Sequence, residues 1–177
     1  MRTLVKMMLL AVLAIPMGRA FAANDTLTVN ITVTLSGAAQ ANVDVAFADN
    51  TGGALSKNWP VSGALGSAHD AVAAGVKPQI QNNANFGVDV TASVTNPATP
   101  NWVVGAAGTT NAFQVSVFKG AVAVPLTVSG ASVAFQSIGP ATSSAAADTI
   151  SLTLPTKVSH TSPGGDIVVT YVASPTL

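Results

Sequence analysis

The sequence predicts an all-β protein, an antiparallel β-sandwich of about eight strands. Three observations lead to this fold class. Apolar and polar residues alternate in run after run, which places the apolar side chains of a strand on one face. The composition is rich in Val, Thr and Ser, residues that suit a pleated, half-buried surface. No window of the sequence repeats convincingly with the 3.6-residue period of a helix.

The first 22 residues are typical of a cleaved export signal. Arg2 and Lys6 form a basic start, residues 7–17 form an apolar run of 11 residues, and Ala20 and Ala22 fit a small-residue cleavage site. The apolar run is about half of the roughly 20 residues that a membrane-spanning helix needs. We therefore expect residues 1–22 to be removed, and the mature chain to be extracellular without a membrane span.

The mature chain, residues 23–177, suits one domain. It has no Cys, so disulfides cannot stabilise it. It contains four Lys, seven Asp and neither Arg nor Glu, giving a formal net charge of −3. Four scattered lysines cannot neutralise a run of phosphates, and this excludes a nucleic-acid binder.

Eight runs with period-2 alternation account for the predicted strands. Lys119 and Gly120 separate two of these runs, which indicates a tight hairpin turn with Gly at a positive φ. Between the second and third runs, the sequence favours either a short strand at 58–61 or a helical turn near 69–74. The eight runs are 27–35, 43–47, 86–94, 113–117, 122–128, 133–135, 150–154 and 167–173.

Few residues of the chain carry chemistry. His69 and Asp70 are adjacent but lack a third partner, and His160 lies in a polar context. The sequence has no nucleophile elbow and no zinc-protease motif. Residues 49–53 superficially resemble the start of a calcium loop, but a turn is the stronger interpretation. We therefore expect a non-enzymatic protein that uses no cofactor and no metal.

The most regular strand of the chain, 27–35, follows a short polar lead and precedes the small residues 36–39. Two interpretations stay open on the pattern alone. It is an ordinary first strand paired within its own subunit, or it is a donor strand that completes the sheet of a neighbouring subunit. A donor strand needs long alternation, a terminal position and a hinge, and this segment has all three.

The two ends of the chain resemble a family of secreted filament subunits. The stretch LTVNITVTLS at 27–36 resembles the donor strand of chaperone–usher pilins, particularly the cysteine-free alpha-type fimbrial subunits, and PGGDIVVTYV at 163–172 resembles their final strand. A second resemblance, carried by residues 85–118, is to TasA-type biofilm fibres, which polymerise cysteine-free β-sandwiches by exchanging N-terminal strands.

The resemblance implies an immunoglobulin-like or jelly-roll sandwich at 38–177 with an N-terminal donor strand and hinge at 23–37. It implies head-to-tail polymerisation into a filament, with a periplasmic chaperone and an outer-membrane usher as further partners. The donor residues would be Leu27, Val29, Ile31, Val33 and Leu35. The acceptor groove would include Ile167, Val169 and Tyr171.

The alternative function is a monomeric secreted binding module of carbohydrate or adhesin type. Trp59 and Trp102 lie near loop-like sequence, where exposed rings would form a stacking platform for a sugar. Core packing is the more common role of isolated tryptophans. The filament subunit is the leading hypothesis, because the N-terminal strand alternates regularly and the sequence has no recognisable catalytic site.

Overall fold

The structure of the chain, a computed structural model, describes residues 26–36, 43–47, 56–71, 76, 78–82, 85–140, 142–143, 149–160 and 162–176. These residues contain thirteen β-strands and no α-helix, which confirms the all-β class. The predicted signal at 1–22, the hinge at 37–39 and the turn at 49–53 lie outside the described residues.

The first sheet has five strands. From one edge to the other they are β10 (Ser132–Ile138), β6 (Val88–Thr95), β13 (Ile167–Pro175), β1 (Thr26–Ser36) and β3 (Ser56–Ala64). β1 and β13 run parallel, and the other neighbours are antiparallel. The strand nearest the N-terminus therefore lies inside the sheet, beside the last strand of the chain.

The second sheet also has five strands. They are β4 (Ala68–Asp70), β12 (Ile150–Thr153), β8 (Ala112–Lys119), β7 (Val103–Val104) and β9 (Val122–Leu126). β8 is central: β12 pairs with one side of it, β9 forms a hairpin with it, and β7 pairs parallel to its first residues. A third sheet joins β11 (Thr142–Ser143), β5 (Pro78–Asn82) and β2 (Val43–Phe47).

Both five-stranded sheets contribute to one hydrophobic core. The burial of β6 follows the alternation expected from the sequence: the side chains of Val88, Val90, Ala92 and Val94 are buried, and those between them are more exposed. β13 and β12 follow the same pattern. Trp102 stacks on Phe113, with ring centroids 5.4 Å apart, and fills the core beside the start of β8. This arrangement is consistent with a β-sandwich.

All eight predicted strands are present, and Gly120 has the expected positive φ of 58° in the turn between β8 and β9. The count of eight was too low, because β3, β4, β5, β7 and β11 add five strands. The expectation of purely antiparallel sheets was also wrong, since two pairs of strands run parallel. Of the two alternatives for the region between the second and third runs, the short strand at 58–61 is present as part of β3. Residues 69 and 70 belong to β4, which pairs with β12, and residues 72–74 of the alternative helical turn lie outside the described residues.

The described residues contain no helix that is long and apolar enough to cross a membrane.

The core position of Leu152 gives a test of the fold. Its side chain is 0% exposed in the centre of β12. Truncation leaves a cavity that the packed sheets cannot fully close, so we expect Leu152→Ala to lower the free energy of unfolding by about 2–5 kcal/mol. Urea denaturation of the mature protein measures this loss.

The matched control is Val128→Ala, at a side chain that is 62% exposed. Its free energy of unfolding should stay within about 0.5 kcal/mol of the parent value. Equal losses in the two variants would contradict the placement of β12 in the core.

Candidate functional site in the first sheet

Strand β1 occupies a slot between two strands that come from distant parts of the chain. On one side its residues 31–36 pair in parallel with residues 167–172 of β13, and on the other its residues 26–34 pair antiparallel with residues 56–64 of β3. Residues 31–34 therefore have a strand on both sides. We call the space between β13 and β3 the β1 slot.

The predicted donor residues and the predicted acceptor residues lie next to each other in register. Ile31 is opposite Ile167, Val33 opposite Val169 and Leu35 opposite Tyr171. The three acceptor side chains are fully buried. Among the donor side chains, those of Leu27, Val29 and Ile31 are also buried, whereas those of Val33 and Leu35 lie outside the described part of the structure.

This pairing lies within one chain. It is the arrangement that an ordinary first strand adopts, and it is also the arrangement that a second copy would reproduce if the strand were exchanged. The filament interface therefore stays a prediction, while the slot into which such a strand would fit is defined.

The second wall of the slot was missed by the sequence analysis. Trp59 lies opposite Ile31 and Val61 opposite Val29, and both side chains are buried. The sequence favours a short strand at 58–61 only as one of two alternatives and does not assign it to the slot. The alternation of Trp59 and Val61 around Pro60 is the signal that could have identified this wall. Pro at the centre of a run normally argues against a strand unless that strand is an edge, and β3 is an edge.

β1 is the first strand that the described residues form. It is followed by β2, which pairs with β5 in the third sheet and not with any strand of the first sheet. Among the described residues no strand precedes β1, and the strand that follows it lies in another sheet. β1 can therefore leave the first sheet without pulling another strand of that sheet out of register.

Three edge strands of the two large sheets, β3, β9 and β10, carry features that disfavour the addition of another strand. In β3, Pro60 lies opposite Asn30. Because Pro has no N–H, this pair is not hydrogen-bonded, and the Pro nitrogen faces the outer edge. β10 has a bulge between Ala134 and Gln136, and the edge strand β9 contains Pro125.

The two tryptophans do not form a surface platform. Trp59 is 6% exposed and Trp102 is 2% exposed, so neither ring offers a face to a sugar. Trp102 Nε1 is buried and has no hydrogen-bond partner among the described residues. Both rings pack in the core cluster, which is the more common role of isolated tryptophans.

Among the described residues, the arrangement most similar to a catalytic pair is Ser67 with His69, but the directions of its hydrogen bonds do not suit catalysis. Ser67 Oγ lies 2.7 Å from the Ala64 carbonyl oxygen and 2.7 Å from His69 Nε2. The hydroxyl has one proton, so donating it to Ala64 leaves Oγ to accept from His69 Nε2–H. That is the reverse of a serine nucleophile activated by a histidine base. Asp70 points to the opposite face of β4 from His69.

The two buried amide side chains among the described residues, Asn82 and Asn111, have structural partners. Asn82 Nδ2 donates to the carbonyl oxygens of Phe86 at 2.6 Å and Gly139 at 3.0 Å. Asn111 exchanges two hydrogen bonds of 2.8 Å with Ser159 and so holds the loop before β13 against the start of β8. The described residues contain no group of three side chains suited to a metal ion.

Comparison with known proteins adds no relative: no protein-family model matches the sequence, and no curated protein matches it.

The packing of β3 against the turn at Ser67 can be tested at Gly63, next to the first residues of β1. Gly63 lies opposite Leu27, and a Cβ on it would be 2.6 Å from both His69 Nε2 and Ser67 Oγ. The added methyl forces the two side chains apart, so we expect Gly63→Ala to lower the free energy of unfolding by about 1–3 kcal/mol. Urea denaturation measures the change.

The control is the same substitution in a chain that also carries Ser67→Ala and His69→Ala. There the space is open, and the additional cost of Gly63→Ala should fall below about 0.5 kcal/mol. An equal cost in both backgrounds would mean that Gly63 does not make room for this pair.

Proposed function

We propose that this protein is the structural subunit of an extracellular filament, and that β1 of each subunit fills the β1 slot of the next. The observation that carries the proposal is the register of the slot, which aligns the alternating N-terminal strand with β13 and β3 on both sides. The contact is heterologous and does not close on itself, so it propagates into a fibre.

The proposal includes the finer features that the resemblance implies. The two five-stranded sheets form an immunoglobulin-like or jelly-roll sandwich. The chain is exported by the signal at 1–22, and a periplasmic chaperone and an outer-membrane usher assist its assembly. The burial of Leu27, Val29 and Ile31 supports the role of β1 as the connecting strand, because each supplies an apolar anchor at alternate positions.

The free-energy change of exchanging β1 between two copies should be close to zero, but the exchange should be slow because β1 must first leave its own slot. Burial of the three described side chains of β1 contributes roughly 5 to 9 kcal/mol. An exchanged strand makes the same contacts as the original one, so this free energy is lost on opening and recovered on insertion into the neighbour. Polymerisation should therefore depend on protein concentration and should be limited by the release of β1.

The edges of the sheets support exchange over edge-to-edge growth. Pro60, Pro125 and the bulge in β10 each interrupt a row of backbone groups that an added strand would need. A vacated β1 slot offers uninterrupted backbone on β13 together with buried apolar side chains. Exchange of β1 is thus the route to a polymer that these sheets obstruct least.

A pair of cysteines across the slot tests the proposal, because the natural chain has none. Thr34 lies opposite Ser56, in the same phase as Asn30 and Pro60. The pair is therefore not hydrogen-bonded, and its Cα atoms are about 4.5 Å apart, within reach of a disulfide. We expect fibres of Thr34→Cys/Ser56→Cys to be oxidised into a ladder of covalent multimers on a denaturing, non-reducing gel.

The matched control is Ser93→Cys/Thr170→Cys, which joins β6 to β13 without involving β1. Its disulfide should stay within one chain, so its fibres should dissolve into monomers on the same gel. Monomers from both variants, or the absence of fibres at every concentration tested, would contradict exchange of β1.

A further inference from the structure

An open cavity of about 530 Å³ lies beside the edge strand β10, where that strand meets the hairpin of β8 and β9. Val90, Ala134 and Phe135 give it apolar lining. Asp89, Lys119 and Ser137 supply polar and charged groups to the same cavity. The bulge in β10 falls at this point, since the register shifts between Ala134 and Gln136. Bulges often re-aim side chains in this way beside binding sites.

An exposed apolar side chain stands next to this cavity. Val122 is directly opposite Lys119 in the β8–β9 hairpin, and it is 66% exposed. It lies on the same face of β9 as Val124, which is half-buried, and Leu126, which is buried. Val122 therefore continues the core-facing row of β9 beyond the core, where this chain leaves it in water.

The charges around the cavity are complementary to each other. Asp89 accepts a hydrogen bond of 2.5 Å from Ser137 Oγ, which fixes the carboxylate at the cavity. Lys119 is exposed and forms no ion pair with a described residue. The same small area thus offers one anchored negative charge and one positive charge that no described residue pairs.

We propose that this face, formed by Asp89, Lys119, Val122, Phe135 and Ser137, binds a second copy of the chain about a two-fold axis. A two-fold contact needs a patch that is complementary to itself. Here Val122 of each copy enters the apolar cavity of the other, and Lys119 of each copy meets Asp89 of the other. The charge pairs set the orientation, and the valines lose their exposure to water.

This face is separate from the β1 slot. β10 is the far edge of the first sheet, and β6 and β13 lie between it and β1. The two contacts can therefore form at once. Where the proposed filament exists, this two-fold contact would pair filaments side by side; the dimer itself does not depend on exchange of β1.

The experiment uses the full mature chain with the oxidised Thr34→Cys/Ser56→Cys lock, which holds β1 in its own slot. Sedimentation velocity over a range of concentrations should show a reversible dimer. Lys119→Asp or Asp89→Lys alone brings like charges together, and each should raise the dissociation constant about tenfold or more. The double variant Lys119→Asp/Asp89→Lys exchanges the two charges and should restore dimerisation.

A locked chain that stays monomeric at every concentration would overturn the proposal, as would a dimer that none of these substitutions weakens. Val122→Ser should weaken the dimer without lowering the unfolding temperature of the monomer, which separates loss of contact from loss of fold. If the lock does not form, the same charge series in freshly isolated monomer should give the same order of affinities. If the unlocked protein forms fibres but the locked chain does not dimerise, this inference is overturned and the proposed function is left intact.

Discussion

The pairing of β1 with β13 on one side and β3 on the other is the interaction on which the first sheet depends. It joins the beginning and the end of the chain, and it brings Ile31 into the same buried layer as Ile167 and Trp59. Without β1, two strands would each expose a row of backbone groups, and the core would open between them. A sheet built in this way needs a strand in the β1 slot, but the hydrogen bonds between strands do not specify whether that strand comes from the same chain or from a second copy.

Much of the sheet could be predicted from the sequence, because period-2 alternation reports directly which face of a strand is buried. The strands that contain Val90, Leu152 and Val169 could be predicted for this reason. β3 and β4 were harder to predict, because Pro60 interrupts one strand and the other has only three residues. The parallel pairing of β1 with β13 could not be predicted, since it joins segments more than a hundred residues apart and alternation carries no information about direction.

The candidate site could likewise be predicted from the sequence only in part. Alternation identified the side chains of β1 and β13 that would be buried, including Ile31 and Tyr171. It did not identify β3 as the second wall, and it left Trp59 open as a surface residue. Alternation could not predict the register of the strands either, because register follows from the packing of whole strands and not from a local sequence pattern. Low charge and the absence of Cys are compositional facts that fit the proposed assembly, since a polymer would cover part of the surface and stabilise the folded chain by mass action.

The most direct measurement of the central claim is solid-state NMR on fibres grown from two differently labelled batches of the mature protein, one with ¹⁵N and one with ¹³C. The account predicts cross-peaks between ¹⁵N nuclei of β1, such as the amide of Ile31, and ¹³C nuclei of β13 around Ile167, because the two strands would belong to different subunits. Fibres in which β1 and β13 contacts appear only when both labels are in the same chain would contradict it, since β1 would then remain in the sheet of its own subunit.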